Sequence, residues 1–161
     1  MQAIAYIYSC GKDNQRPLGY VFFEQKNDYV EISIDLSGLS WGNHGFHIHT
    51  KGIYDTNGYI PDCSKLGGHL KLPGEVHGNI NEKGKHIGDL GNLHANILGK
   101  VKTKIKAERI KLQLNHKCNV LDKFLIIHEN SDDLGLGNNI ESLKTGNSGK
   151  RIGYGIIKAI F

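Results

Sequence analysis

YVEISIDL (residues 29–36) alternates without a break: Val30, Ile32, Ile34 and Leu36 fall on one side, Glu31, Ser33 and Asp35 on the other. Successive side chains of a β-strand point to opposite faces, so this period of two marks a strand with one face in a core and one in water. The rhythm recurs along the chain. Strands are predicted at Ala3–Tyr8, Leu18–Glu24, Tyr29–Leu36, Gly45–His49, Leu93–Leu98, Val101–Lys106, Phe124–His128 and Ile152–Ala159, while helical periodicity is scarce. With 21 glycines against 3 prolines to make turns, about eight antiparallel strands read as an all-β sandwich or barrel.

The 161 residues, 39% hydrophobic and 22% charged, are read as one domain, 1–161, large enough to bury a core without staples. No apolar run reaches the roughly 20 residues of a membrane span, and the N-terminus lacks the order of a signal peptide. Three cysteines are an odd number for a secreted disulfide framework, so the expected compartment is the cytoplasm. The abundance of isoleucine, lysine and asparagine is compatible with an AT-rich genome, of a large DNA virus or a microbe; for a virus the compartment would be the host cytoplasm. A net charge of +4 and a pI near 8.9 raise the question of nucleic acid. However, Lys100, Lys102, Lys104 and Lys106 alternate with Val101, Thr103 and Ile105 and carry no interleaved aromatics, which marks a solvated strand face. No nucleic-acid or membrane partner is expected.

Two polar, glycine-rich stretches, 50–92 and 129–150, break the strand rhythm. Loops this long are usually functional or held by something other than a core. The first carries His69, His77, His86 and Asp89, and a metal ion would supply the ordering energy that apolar burial does not. Three imidazoles and a carboxylate complete a tetrahedral zinc set with no open position, which makes a structural site. His47 and His49 project from one face of their strand, opposite Phe46 and Ile48, and with His128 offer an all-nitrogen set suited to copper.

At this point the blocks GFHIH (45–49), GGH (67–69), VHG (76–78), KHIGDLGN (85–92), IHE (127–129), DDLG (132–135) and KTGNSGKR (144–151) carry a resemblance to the Cu,Zn superoxide dismutases over nearly the whole chain. The resemblance implies a Greek-key β-barrel, or flattened sandwich, with long zinc-binding and electrostatic loops. It implies copper on His47, His49, His69 and His128, and zinc on His69, His77, His86 and Asp89, one ion of each per subunit, with His69 shared as an imidazolate. The implied reaction is dismutation of superoxide to dioxygen and hydrogen peroxide by a redox-cycling copper, as antioxidant defence. Arg151 would dock the anion, Thr145 would stand opposite it, and Lys144 would help draw it in. Asp132 would link the imidazoles of His47 and His77, and His44 would be a buried supporting residue. His94 and His116 match no family role and are read as surface residues. The resemblance also implies a homodimer, formed through the apolar C-terminal strand and the loop before Cys63.

The chain departs from the pattern in two places. The family's disulfide partner of Cys63 stands three residues after the arginine, where this chain has Tyr154. Cys63 is therefore expected either to pair with Cys118 or to remain a free thiol. In the steering loop Asn138, Asn139, Ile140 and Leu143 replace charged or polar positions, leaving Glu141 and Lys144. The rival to an enzyme is a catalytically silent homologue acting as a binding module. Such relatives lose copper ligands or the arginine, and this chain keeps them all. A copper chaperone would need a paired-cysteine motif, and no C-x-x-C occurs.

Overall fold

The structure is a computed structural model that describes residues 1–11, 15–50 and 63–161. Its strands are β1 (Gln2–Ser9), β2 (Pro17–Gln25), β3 (Val30–Leu36), β4 (Gly42–His49), β5 (Asp89–Ala95), β6 (Val101–Ala107), β7 (Phe124–His128), β8 (Arg151–Ile156) and β9 (Lys158–Ile160). They form one antiparallel sheet in the order β5-β4-β7-β8-β1-β2-β3-β6, with β9 on β1. The end strands β5 and β6 approach each other, so the sheet curls into a nearly closed barrel. Non-sequential neighbours such as β4 with β7 and β8 with β1 give the Greek-key connectivity expected from the sequence.

β3 shows why the alternation is diagnostic. Val30, Ile32, Ile34 and Leu36 are buried inside the barrel and the residues between them are not. Each such side chain contributes roughly 1.5–3 kcal/mol when fully buried. The lysine face of β6 lies outward, with Lys104 Nζ 2.9 Å from Glu31, Lys106 Nζ 2.9 Å from Glu108 and Lys102 Nζ 3.8 Å from Asp35. These lysines answer acids of the same sheet and its flank.

Most strands lie within one residue of their predicted bounds, β4 begins at Gly42 rather than at the predicted Gly45, and two strands differ more. β5 starts at Asp89, four residues before the predicted Leu93, and stops at Ala95. The Asn96 side-chain oxygen then accepts the N–H groups of Leu98 (2.9 Å) and Lys100 (3.0 Å), diverting them from a ladder into a turn. The predicted strand Ile152–Ala159 is broken at Ile157. Its N–H donates to Lys123 O at 3.0 Å and its carbonyl accepts Asp122 N–H at 2.8 Å, which turns the side chain into the core.

The expected pairing of Cys63 with Cys118, and the alternative of a free Cys63, are both corrected. Cys63 is bonded to Cys10, with Cα atoms 5.9 Å apart, and Cys118 is the free, buried cysteine. The reason lies in the layers. Cys118 packs inside the barrel, whereas Cys63 joins Leu66, Phe124, Ile126 and Tyr154 in a second cluster on the outer side of β7 and β8. β1 runs beside β8, pairing Tyr8 with Tyr154 and Ser9 with Gly153, and the Cys10 N–H donates to Ile152 O at 2.9 Å. Cys10 therefore reaches Cys63 from the strand next to the usual partner position. Tyr154 fills that position as a buried ring whose hydroxyl accepts Gln15 Nε2 at 2.6 Å.

Candidate metal centre

β4 carries two alternating sets. Phe46 and Ile48 are fully buried in the barrel, and His47 and His49 face outward beneath the two long loops. The β4–β5 register shifts between Gly45 and His47, and the β7–β8 register shifts between Ile127 and His128. A bulge re-aims a side chain, and both bulges fall next to histidines of the site. His69 is brought in by a bridge to His49, and the flanking loop segments lie along β4 through Leu70 N–H to Ile48 O (2.7 Å) and Ile48 N–H to Gly88 O (2.8 Å).

Donor atoms of His47, His49, His69 and His128 lie within 4.8 Å of one another, all from buried residues. Three of these rings have one nitrogen already fixed. His49 Nδ1 donates to Gly67 O (2.9 Å), His128 Nδ1 to Gly149 O (3.1 Å), and His47 Nε2 meets Asp132 Oδ2 (2.6 Å). A proton held on one nitrogen leaves the other as a lone pair. Those others, His47 Nδ1, His49 Nε2 and His128 Nε2, are buried without a hydrogen-bond partner. Burial, reinforced by neighbouring imidazoles, holds His47 and His49 well below the ordinary range and His128 at about 4. Three buried lone pairs without donors, aimed at one place, fit a metal of nitrogen preference.

The second set is as tight. His69 Nδ1 lies 3.3 Å from His77 Nδ1, 3.4 Å from His86 Nδ1 and 2.8 Å from Asp89 Oδ1; Asp89 oxygens lie 3.0 Å from His77 Nδ1 and 3.4 Å from His86 Nδ1. Ligands about 2.0–2.1 Å from a tetrahedral zinc stand roughly 3.3 Å apart, so the donors fit that ion. His47 also lies within 4.8 Å of this group, but its Nε2 is taken by Asp132, so its remaining donor belongs to the first set. Burial alone would raise the Asp89 carboxyl, yet hydrogen bonds from His69, His77 and His86 hold it well below the usual carboxylate range.

Asp132 joins the two sets. Its Oδ2 meets His47 and its Oδ1 meets His77 Nε2 at 2.7 Å. Asn92 fixes the aspartate by accepting its N–H (2.7 Å) and donating to its carbonyl (2.9 Å). Gly146 makes the approach possible: at φ 69°, a Cβ there would sit 1.9 Å from Asp132 Oδ1 and 2.5 Å from His77 Nε2. His44 is buried, with Nδ1 2.8 Å from His128 O and Nε2 2.9 Å from Ser40 O, so it ties β4 to the end of β7. His94 is exposed and bonded to Asn43, while His116 is half-buried and accepts the Cys118 N–H.

Arg151, Lys144 and Thr145 line a cavity of about 620 Å³ together with His49, His69 and His128. The Arg151 guanidinium donates to Cys63 O (2.8 Å) and Gly67 O (2.7 Å), so the disulfide-anchored segment aims it. Lys144 and Thr145 belong to a short helix, α1 (Ser142–Thr145), that Gly146 ends. Sequence reasoning missed one ion pair of the site. Arg109 donates to Glu75 Oε1 and to the carbonyls of Lys85 and Glu82, and Glu75 Oε2 accepts the N–H groups of Leu72 (2.8 Å) and Ile87 (3.3 Å). The residues on either side of His86 are thereby pinned. Neither residue carries a local signal, because 34 positions separate them.

These shifts set the pH behaviour of the metal-free protein. His47, His49, His69 and His128 are lowered, so the unfolded chain binds more protons than the folded one below about pH 6.5 and stability falls toward acid. For His77 burial opposes charge, but hydrogen bonds to Asp132 and Asp89 outweigh it and raise the group to about 9, so its contribution is lost as pH rises through 9. The melting temperature of metal-free protein is expected to peak near neutral pH. A profile flat from pH 4 to 10 would contradict these assignments.

Among the described residues no helix is long and apolar enough to cross a membrane. The family described as copper/zinc superoxide dismutase (SODC) matches residues 18–157. A Cu-Zn superoxide dismutase of Paramecium bursaria Chlorella virus 1 is 44% identical over 140 residues, covering 86% of this chain and 71% of the relative. An extracellular Cu-Zn superoxide dismutase of Drosophila melanogaster is 40% identical over 160 residues, covering 98% and 84%. A Cu-Zn superoxide dismutase of Claviceps purpurea is 41% identical over 142 residues, covering 86% and 88%. With two convergent donor sets of the chemistry that copper and zinc require, the chain belongs to the copper/zinc superoxide dismutase family and is an enzyme that dismutates superoxide.

Proposed function

We propose that His47, His49, His69 and His128 hold copper, that His69, His77, His86 and Asp89 hold zinc, and that residues 1–161 work as one unit. The observation that carries this reading is the trio of buried, partnerless ring nitrogens on His47, His49 and His128. Bound copper supplies one-electron oxidation and reduction of superoxide, and bound zinc supplies fixed charge and order. The remaining work falls to the chain. His69 presents Nδ1 to the second set, which leaves Nε2 to take and release a proton beside the first. Asp132 holds the Nε2–H of both His47 and His77, which keeps both rings in the same tautomer and leaves each Nδ1 as a donor. Arg151 presents a planar cationic fork to a diatomic anion, Lys144 draws the anion inward and Thr145 narrows the passage.

The test is superoxide dismutation by copper- and zinc-loaded protein beside an Arg151→Ala variant and a cyanide-treated sample. Activity should fall roughly tenfold or more in the variant, the scale of electrostatic focusing, and should be lost with cyanide. An Arg151→Ala rate within twofold of the parent would remove Arg151 from the reaction. With a net charge of +4, the rate should also fall as ionic strength rises; a salt-independent rate would count against steering.

The protein is proposed to be a homodimer. Ile157 is absorbed by the core, but Ile4, Tyr6 (60% exposed) and Tyr8 of β1, with Ile160 of β9, leave an apolar outer face beside the C-terminus. The loop before Cys63, the other expected contact, lies outside the described residues. Light scattering should give twice the chain mass, reduced by Tyr6→Lys; a monomer at micromolar concentration would remove the proposal. The cytoplasm is proposed as the compartment because Cys118 is left as a buried free thiol. Relatives from Drosophila melanogaster, Caenorhabditis elegans and Onchocerca volvulus are named as extracellular enzymes, so recovery of the protein from medium rather than cells would overturn it.

A further inference from the structure

The cavity over the first donor set is much larger than a diatomic anion needs. Its volume of about 620 Å³ lies in the range of about 300–1,000 Å³ that holds small organic ligands, whereas one water occupies about 30 Å³. Its lining is divided by chemistry. Arg151, Lys144 and Lys71 supply cations. Of the two acids on the wall, Glu75 is matched by Arg109 and Glu141 accepts the Thr145 hydroxyl. The lip is apolar. His77 N–H donates to Leu143 O at 2.9 Å, which ties the two loops together and sets Val76 and Leu143 at the mouth, 42% and 46% exposed. Leu136 and Ile140 are also exposed, on the same loop as Leu143.

We propose that this cavity binds small amphiphilic monoanions of the alkyl carboxylate class, with the carboxylate at Arg151 and Lys144 and the alkyl chain over Val76 and Leu143. The proposal rests on the reading that Arg151 docks the anionic substrate, and it adds a second class of ligand that competes for the same guanidinium. Charge complementarity selects the head group and the leucine and valine of the lip select the tail. A fully buried methylene strengthens binding about fourfold. Over side chains that stay half exposed the gain is about twofold per methylene, so hexanoate, with four more methylenes than acetate, is expected to bind roughly 15-fold more tightly.

The experiment uses copper- and zinc-loaded protein at constant ionic strength. Dissociation constants for acetate, butanoate and hexanoate are measured by calorimetry, and inhibition of dismutation is followed in the same samples. The expected result is a steady tightening with chain length that is flattened in a Val76→Thr, Leu143→Ser double variant. Equal affinities for acetate and hexanoate overturn the proposal, as does a chain-length series that survives in the double variant. The two readings fail separately. A flat series in protein that dismutates superoxide removes the carboxylate site alone, whereas a steep series alongside an Arg151→Ala dismutation rate within twofold of the parent keeps that site and removes Arg151 from the reaction.

Discussion

Replacing Cys10 with serine is expected to lower the unfolding free energy by about 4 kcal/mol, because the bond closes a loop with a sequence separation of 53 and a cross-link of that span removes about that much unfolded-chain entropy. For a chain of this size the melting temperature should drop by roughly 10 °C. Activity should fall with it, since Cys63 O is one of the acceptors that aim Arg151. Cys63→Ser should match Cys10→Ser, and the double variant should be no worse than either. Cys118→Ala, which touches no cross-link, should cost only about 1 kcal/mol as a small buried truncation. A Cys10→Ser protein that melts with the parent under non-reducing conditions would show that the cross-link does not exist in solution.

The second large effect is expected at the Glu75–Arg109 pair. Removing one partner of a buried ion pair costs about 3–5 kcal/mol because the other charge is stranded, and the side chains here are 8% and 22% exposed. Arg109→Ala strands the Glu75 carboxylate and frees the carbonyls of Lys85 and Glu82. The flexible lysine of Arg109→Lys should recover only part of the loss, because a single ammonium does not reproduce the fork that spans Glu75 and two carbonyls. The pair grips the neighbours of His86 and stands two residues before His77. Zinc affinity should therefore fall roughly 10- to 100-fold, the usual scale for groups that orient metal ligands. Zinc release to a chelator measures this directly, and the visible spectrum of cobalt placed in the zinc site reports any change in its geometry. Unchanged release with an unchanged cobalt spectrum would confine the pair to general stability.

What could be read from the chain beforehand follows physical lines. Alternation in β3 and β6 reports which face of a strand is buried, and those bounds survive nearly intact. Spacing reports which donors share a face, so His47 and His49 were legible on one strand and His86 and Asp89 on one turn. Alternation is silent about which strands become neighbours. The bond from Cys10 to Cys63 depends on β1 lying against β8, and no local pattern encodes that adjacency. The Glu75–Arg109 pair is hidden for the same reason. Asn92 was in view within KHIGDLGN, but its role required the fold to bring Asp132 to it. The C-terminal bound of β5 failed for a smaller reason, a single asparagine side chain that competes with the ladder for two N–H groups.

Gly146 has a consequence for how this protein tolerates variation. It has no side chain and makes only backbone hydrogen bonds, to Ser142 and Asp133, yet a single added carbon would fall 1.9 Å from an oxygen of Asp132. In a saturation library scored for metal retention, the column for position 146 should be as empty as those of the histidines. Ser142 and Ser148, buried in the same loop, should accept at least their smallest replacements. A ranking of sites by mutational intolerance would therefore place a residue with no functional atom among the ligands, because the two donor sets depend on free space there as much as on nitrogen and oxygen.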